Sequence, residues 1–202
     1  MLIFIIEYLT QKDVDAFLAL DQKVYNSEHQ VSKEATLHRL NKNAYTDIIA
    51  KKDDALIGYI SLCPIDNTLI RRIIQKCVSE EEIEQNVVSF LQPGFYDAYL
   101  SSIVVDKETF PSFPGRVFFQ LLQNHIKILR KRGVFIRFIV GVAVTIAGGK
   151  TLKKMRFSEI RPSVFLFDCL THPTLFILEK GIEKIRDTNQ RLSMVFNKWR
   201  FV

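Results

Sequence analysis

The stretch of residues 97–132 constrains the fold of this chain more than any other part of its sequence. It opens with an apolar run, residues 99–105, that is rich in Val and Ile and shows no helical spacing, which is typical of a strand. A loop with two prolines and Gly115 follows and interrupts the pattern. Beyond the loop, residues that suit one helix face recur at helical intervals: Phe118, Leu121, Leu122, His125, Ile126 and Leu129. The stretch therefore predicts a strand, a loop and a helix.

The start of this predicted helix is a potential anion site. Backbone N–H groups in the first turn have no partner within the helix, and the helix dipole places partial positive charge there. Every strand–loop–helix unit has such a helix start, so the pattern alone does not say whether an anion binds.

Length and composition predict one globular domain. The chain has 202 residues, of which 48% are hydrophobic and 25% are charged, as in ordinary single-core domains. Its longest apolar run, residues 134–147, is broken by polar residues and is too short for a membrane span. The apolar residues 1–6 lack the basic start of a signal peptide. Three scattered cysteines, Cys63, Cys77 and Cys169, form no disulfide frame, so we expect a cytoplasmic protein.

Charge is divided unevenly along the chain. Residues 1–115 contain 11 Lys or Arg and 17 Asp or Glu, whereas residues 116–202 contain 17 and 5. A basic half that begins at the predicted helix start suits a ligand with several phosphates. It equally suits nucleic acid, an anionic membrane or a solvated surface, so charge alone does not choose among them.

Strands and helices alternate before the central unit. The sequence predicts a strand at residues 3–8, helices that begin after Thr10 and Ser32, and a hairpin of strands at residues 45–50 and 56–62. These elements would place two helices and a hairpin beside the central strand.

Residues 66–94 predict a helical insertion before the central strand. Asn67 can cap a first helix, and Ser79 with Glu82 forms a capping box for a second. The second helix is acidic, and such a face is more often solvated than part of a binding site. The insertion either shapes a pocket or lengthens the connection.

After the central unit the sequence predicts three more elements and a tail. They are a buried strand at residues 134–144, a short helix at 147–157 and a last strand at 163–169. Residues 171–202 predict a C-terminal helical extension that is basic and aromatic. Such a tail packs on its own domain or on a second subunit, which allows a homodimer, and we do not favour a nucleic-acid role.

In this order the elements resemble the core of the GCN5-related N-acetyltransferase (GNAT) superfamily, over roughly residues 3–170. The resemblance implies an α/β (α+β) fold with a mixed, mostly antiparallel central sheet flanked by helices. In the family the central loop holds the pyrophosphate of acetyl-CoA. Here that loop reads Phe113-Pro114-Gly115-Arg116-Val117-Phe118, a degenerate form with one glycine. Leu152 occupies the position of the family's Tyr that protonates the CoA thiolate.

The resemblance implies an N-acyltransferase that uses acetyl-CoA or another acyl-CoA. Backbone groups of Val104 and Val105 would hold the pantetheine arm. The pyrophosphate would be held by backbone N–H groups at the helix start, those of Gly115, Arg116, Val117 and Phe118. The Arg116 side chain would add a positive charge.

A neutral amine would attack the thioester along the central strand, helped by a group that takes its proton. Candidate proton-transfer groups on this strand are Asp97, Tyr99 and Tyr96. The acceptor would be a small-molecule or peptide amine, contacted by residues 12–43 and 66–94. The missing loop glycines and the absent Tyr favour an alternative, a GNAT-fold binding or assembly module without catalysis.

Other chemistries fit the sequence less well. Residues 149–151 read Gly-Lys-Thr as the end of a P-loop does, but Val144 stands where that motif begins with glycine. Ser101 and Ser102 lie outside any nucleophile elbow. No metal site is predicted, because the four histidines lack ligand spacing: His29, His38, His125 and His172.

Overall fold

The protein forms one seven-stranded sheet with helices on both faces. A computed structural model describes residues 5–27, 30–111 and 116–170, with only the backbone described at residue 116. The strands are β1 (Ile5–Tyr8), β2 (Asp47–Lys52), β3 (Ala55–Ile65), β4 (Gly94–Val105), β5 (Val134–Val142), β6 (Ser158–Arg161) and β7 (Val164–Asp168). Their order is β1-β2-β3-β4-β5-β7-β6. Only β4 and β5 pair in parallel, so the predicted mixed, mostly antiparallel sheet is confirmed.

Six helices flank this sheet within the described residues. They are α1 (Val14–Val24), α2 (Lys33–Lys42), α3 (Asn67–Gln75), α4 (Glu80–Gln85), α5 (Arg116–Lys131) and α6 (Ile146–Lys154). Helices α1 to α4 cover one face, where they form two apolar clusters with the strands. Helices α5 and α6 pack on the other face, through Phe118 beside Gly58 and Leu152 beside Gly141. Because α5 crosses from β4 to β5, those two strands run in parallel.

The predicted central unit is confirmed as β4, α5 and β5. Gly133 lies between α5 and β5 with a φ of 81°, a conformation that glycine adopts without strain. His125 of α5 is buried, and its Nδ1 lies 3.0 Å from the Tyr8 hydroxyl. Burial lowers the pKa of His125 to about 4, so the side chain is a neutral packing residue at pH 7.

The helical insertion is confirmed, with one correction to its capping. Asp66, and not Asn67, caps α3, because its carboxylate accepts a hydrogen bond from the Leu69 N–H at 2.7 Å. Ser79 caps α4 and accepts from the Glu82 N–H at 3.2 Å. Both helices therefore begin where side-chain oxygens satisfy free backbone donors.

The strands differ from the sequence-based expectation in their boundaries and in one additional strand. Strand β4 begins at Gly94, inside the stretch assigned to the insertion, and β5 ends at Val142 instead of residue 144. Strand β6 was not predicted, since it is a four-residue edge strand whose residues are all exposed and which lacks apolar alternation.

The predicted extension, residues 171–202, and the homodimer predicted through it lie outside the described residues. None of the helices in the described part of the chain is both long enough and apolar enough to cross a membrane.

Candidate active site

The parallel strands β4 and β5 separate at Leu100. They pair from Gly94 with Val134 to Leu100 with Gly141. Strand β4 then continues to Val105, and among the described strands only β3 pairs with this last part. Backbone polar groups on its other edge are left for a ligand or water.

A β-bulge marks the point of separation. Ser61 of β3 pairs with Ser102, whereas its neighbour Leu62 pairs with Leu100, so Ser101 is an extra residue in β4. A bulge bends its strand and increases the local twist. Here the bulge lies where the pairing with β5 ends.

A cavity of about 760 Å³ lies beside the bulge, on the face covered by α1 to α4. Tyr99, Ser101 and Ser102 of β4 line it together with Val142 of β5. Its other lining residues come mainly from residues 25–38 and from α4. The structure thus brings together the two segments from which the sequence predicts acceptor contacts. The volume is in the range of small-molecule sites.

The charged side chains that line the cavity are carboxylates. They are Glu34, Glu80, Glu81 and Glu84, and the described lining includes neither Lys nor Arg. His38 is the lining histidine. A concave surface with charge of one sign attracts ligands of the opposite sign, so the cavity favours a cation.

Tyr99 and Glu80 connect the sheet to α4 at this cavity. The Tyr99 hydroxyl donates to Glu80 Oε1 at 2.5 Å, and the tyrosine is 1% exposed. Burial raises the pKa of Tyr99 well above 10, and the negative charge of Glu80 raises it further. Tyr99 therefore keeps its proton at ordinary pH and acts as a hydrogen-bond donor.

A second tyrosine lies on the free edge of β4. Tyr25 interacts with the Ser102 side chain and with the backbone of Ile103. Burial raises its pKa, although these two interactions oppose the rise. Two protonated hydroxyl groups thus flank the part of the cavity formed by β4.

Glu84 belongs to a buried ionic network that joins α2, α4 and β2. Arg39 Nε and Nη2 each donate to Asp47 at 3.1 Å, and Nη1 donates to Glu84 Oε1 at 2.6 Å. Ser61 also donates to Asp47. Glu84 Oε2 is buried and has no hydrogen-bond partner among the described residues. The network fixes one wall of the cavity against the sheet.

Of the three predicted proton-transfer groups, the structure places only Tyr99 at the cavity. Asp97 accepts two hydrogen bonds from Arg137 of β5, at 2.8 and 3.1 Å, and is not a lining residue. Burial raises the pKa of Asp97, and the Arg137 charge opposes this. The Tyr96 hydroxyl donates to the Gln92 carbonyl at 2.8 Å. The catalytic roles predicted for these residues stay predictions.

The predicted donor-binding residues lie near the free edge of β4. Val104 and Val105 pair with Tyr59 and Gly58 of β3. Backbone groups of successive strand residues point to opposite edges, and the Asp106 N–H donates to Ile57 of β3 at 2.9 Å, so the backbone groups of Val105 face away from β3. Helix α5 begins at Arg116, whose side chain is not described, and Gly115 lies outside the described residues.

Val117 and Phe118 occupy the first turn of α5. Val117 is half-buried, and Phe118 is 1% exposed. A Cβ atom at Gly58 would lie 2.7 Å from the Phe118 ring, so this ring packs against the sheet. The contribution to a phosphate site would then come from its backbone N–H, as predicted.

Sequence reasoning missed several residues of this site. The sequence gives no local signal for Tyr25, and it predicts the acidic residues of α4 as a solvated face more readily than as part of a binding site. Glu80 is both exposed and a lining residue of the cavity. Glu80 could have been found from its place in the insertion from which acceptor contacts were expected. Leu152 is 5% exposed, so the position of the family's Tyr holds a packed apolar side chain.

Comparison with solved structures shows the fold. A GNAT-family acetyltransferase from Staphylococcus aureus Mu50 aligns with 13% identity and a TM-score of 0.55, covering 82% of this chain and 99% of that one. YhbS, a GNAT-family N-acetyltransferase from Escherichia coli in complex with CoA, aligns with 15% identity and a TM-score of 0.52, covering 88% of this chain and 87% of that one. GphF, a GNAT-like decarboxylase in complex with isobutyryl-CoA, aligns with 17% identity and a TM-score of 0.54, covering 68% of this chain and 65% of that one. The chain has the GNAT fold, as the sequence predicted.

The chain spans less than two thirds of the length of several structures that it matches, between 43% and 65% for three of them. A scan against protein-family models finds no match, and a search among curated proteins finds no similar sequence.

Proposed function

We propose that the protein transfers an acyl group from an acyl-CoA to an amine. The observation that carries this proposal is the end of the β4–β5 pairing at Leu100, beyond which the last residues of β4 pair with β3 alone among the described strands. Extended ligands bind such edges through backbone hydrogen bonds, and a helix start such as that of α5 attracts phosphate. A long donor with a thioester at one end and phosphates at the other suits both features.

The donor is an acyl-CoA, with acetyl-CoA as the first candidate. YhbS was solved with CoA and GphF with isobutyryl-CoA on the same fold, which supports this class of ligand. Val104 and Val105 would bind the pantetheine arm through their backbone. The N–H groups of residues 115–118 would bind the pyrophosphate, with the Arg116 guanidinium beside them.

The acceptor is a small-molecule or peptide amine that enters the cavity as a cation. Four lining carboxylates and the absence of Lys and Arg from the described lining support a positively charged ligand. The alternative is a binding module without catalysis, and a Phe118 side chain that blocked the phosphate site would favour it. The ring of this residue is packed against the sheet, which favours the catalytic proposal.

Calorimetric titration and thermal melting with acetyl-CoA, isobutyryl-CoA and CoA test the donor. A ligand at 100 times its dissociation constant stabilises the native state by about 2.7 kcal/mol, which raises the melting temperature. ATP serves as the control, because it carries phosphates without the pantetheine arm. Equal binding of ATP would show that the basic half only attracts anions, and no binding of any acyl-CoA would refute the proposal.

Release of free thiol in the presence of amines tests the transfer. We expect release from acetyl-CoA that depends on the amine and yields the matching amide by mass spectrometry. GphF is described as a decarboxylase, so a 2-carboxyacyl-CoA is tested in parallel. Loss of carbon dioxide without thiol release would indicate that other chemistry instead.

A further inference from the structure

The proposed transfer needs a group that takes a proton from the acceptor. An alkyl amine has a pKa near that of Lys, about 10.4, so it arrives mainly as an ammonium ion without a free electron pair. Two candidates at the cavity, Tyr25 and Tyr99, hold their own protons because burial raises the pKa of each. The base must therefore be one of the other lining groups.

The titratable groups that share the cavity with Glu80 come from α2, α4, β4 and the end of α1. They are Tyr25, Glu34, His38, Glu81, Glu84 and Tyr99. Glu84 is ion-paired with Arg39 at 2.6 Å. Glu34, Glu81 and His38 are exposed, and none of them has a hydrogen bond to β4 among the described contacts.

Glu80 differs because it is fixed to β4 where the strand separates from β5. Its Oε1 accepts from the Tyr99 hydroxyl at 2.5 Å. Tyr99 directly precedes Leu100, the last residue of β4 that pairs with β5, and the bulge residue Ser101 follows. The free edge proposed to hold the thioester begins at that point. Glu80 is also exposed, so a proton that it accepts can pass to water.

We propose that Glu80 is the catalytic base of the transfer and that Tyr99 is the positioning residue that holds its carboxylate. This assignment rests on the proposed function. The carboxylate takes one proton from the ammonium ion, and the freed electron pair of nitrogen forms a bond with the thioester carbon. The C–S bond breaks, and the sulfur leaves with a second proton from nitrogen as the CoA thiol. Glu80 returns its proton to water, which leaves an amide, CoA and one proton in solution.

The first test replaces the carboxylate with an amide in Glu80→Gln. Acetyl-CoA is the donor, and the acceptor is whichever of 1,4-diaminobutane, spermidine and a lysine-containing tripeptide the wild type acylates fastest. General base catalysis contributes typically about 10²- to 10⁴-fold, so kcat should fall at least about 100-fold. Calorimetric affinity for acetyl-CoA and the melting temperature should match the wild type. These two readouts do not depend on turnover.

Glu82→Gln is the matched control. Glu82 lies in the same first turn of α4, but it pairs with Arg72 and does not line the cavity. It should keep wild-type kcat within twofold. A Glu80→Gln enzyme with the kcat and pH profile of the wild type would overturn the proposal, and so would an equal loss in both variants.

The second test is Tyr99→Phe, read from the pH profile of kcat/KM. A hydrogen bond to the ionised carboxylate lowers its pKa, so removing the bond raises that pKa. The acid limb of the profile should move to higher pH, by about one unit for a hydrogen bond to a charged group. A merely structural Tyr99 would lower stability without moving the limb, and an unmoved limb would refute its positioning role.

The outcomes separate the two proposals. If the wild type does not bind acetyl-CoA, the proposed function itself fails. If it binds acetyl-CoA but acylates none of the three amines, the transfer fails and the Glu80 assignment with it, while the acyl-CoA site stands. If it acylates an amine and Glu80→Gln keeps the wild-type kcat, the Glu80 assignment alone fails.

Discussion

Replacing Arg39 with Met tests how the cavity wall is held to the sheet. Arg39 is 1% exposed, and its guanidinium makes two hydrogen bonds to Asp47 and one to Glu84. The Asp47 side chain is 0% exposed. Met occupies similar space without charge, so the variant leaves the Asp47 carboxylate buried without its counter-ion.

Removing one partner of a buried ion pair costs about 3–5 kcal/mol, because the other charge stays desolvated. Ser61 still donates to Asp47 in the variant, which places the expected loss near the lower end, about 3 kcal/mol. For a chain of this size each kcal/mol lowers the melting temperature by about 2–4 °C, so we expect a fall of about 6–12 °C. Urea unfolding gives the free energy directly.

Arg72→Met is the matched control, since it removes the same group from an exposed pair. The Arg72 side chain is 44% exposed and that of its partner Glu82 is 35% exposed. Such pairs contribute about 0–1 kcal/mol. Adding Asp47→Leu to Arg39→Met should recover most of the loss, because it removes the stranded charge. If Arg39→Met costs no more than Arg72→Met, the network does not hold the wall.

Three further predictions concern packing, pH and the donor site. Gly58→Ala should lower the free energy of unfolding by about 1–3 kcal/mol in urea, because the added Cβ would lie 2.6 Å from a backbone oxygen of β4. Gly94→Ala is the control and should be tolerated, because its Cβ would lie 3.6 Å from the nearest atom. Burial lowers the pKa of His125 from its usual 6.5 to about 4 in the folded protein, so as pH falls the unfolded chain is protonated at this residue before the folded one. Stability should therefore drop by about 2 kcal/mol from pH 7 to 5, and His125→Leu should abolish this drop. Arg116→Ala should weaken CoA binding by about 1.5–3 kcal/mol in calorimetry, with Lys131→Ala as the control at the far end of α5.

Local patterns predicted the elements that carry their own signals. Strand β4, helix α5 and strand β5 follow from strand-like and helical spacing within one stretch of chain. The two insertion helices follow from cap residues, although Asp66 competes successfully with Asn67 for the first cap. Strand β6 has no such signal, because all four of its residues are exposed.

The site itself depends on pairings between distant segments, which one sequence does not reveal. Asp97 and Tyr99 were equally good candidates on one strand, two residues apart. The register of β5 then places Arg137 against Asp97, while α4 places Glu80 against Tyr99. The bulge at Ser101 is likewise a property of the β3–β4 register. Neither register is encoded in local hydrophobic spacing.

The same reasoning explains why the sequence does not place the acidic face of α4, whose Glu80 and Glu81 are exposed and also line the cavity. Charged residues on a short helix are usually solvated, and the sequence does not show that a sheet and a second helix lie opposite. Tyr25 was missed for a related reason, since nothing near residue 25 indicates that its hydroxyl meets Ser102 of β4.

Helix α4 has only six residues, too few for a helix to be stable on its own in water. Its position must therefore be set by contacts to other elements. Glu80 meets β4 through Tyr99, and Glu84, one turn later, meets α2 through Arg39. Ile83 packs in an apolar cluster and Glu82 pairs with Arg72, so loss of the Arg39 contact loosens the helix without detaching it. Arg39→Met should therefore lower amine turnover by displacing Glu80, while the affinity for acyl-CoA, whose proposed site lies along β4 and α5, should stay unchanged.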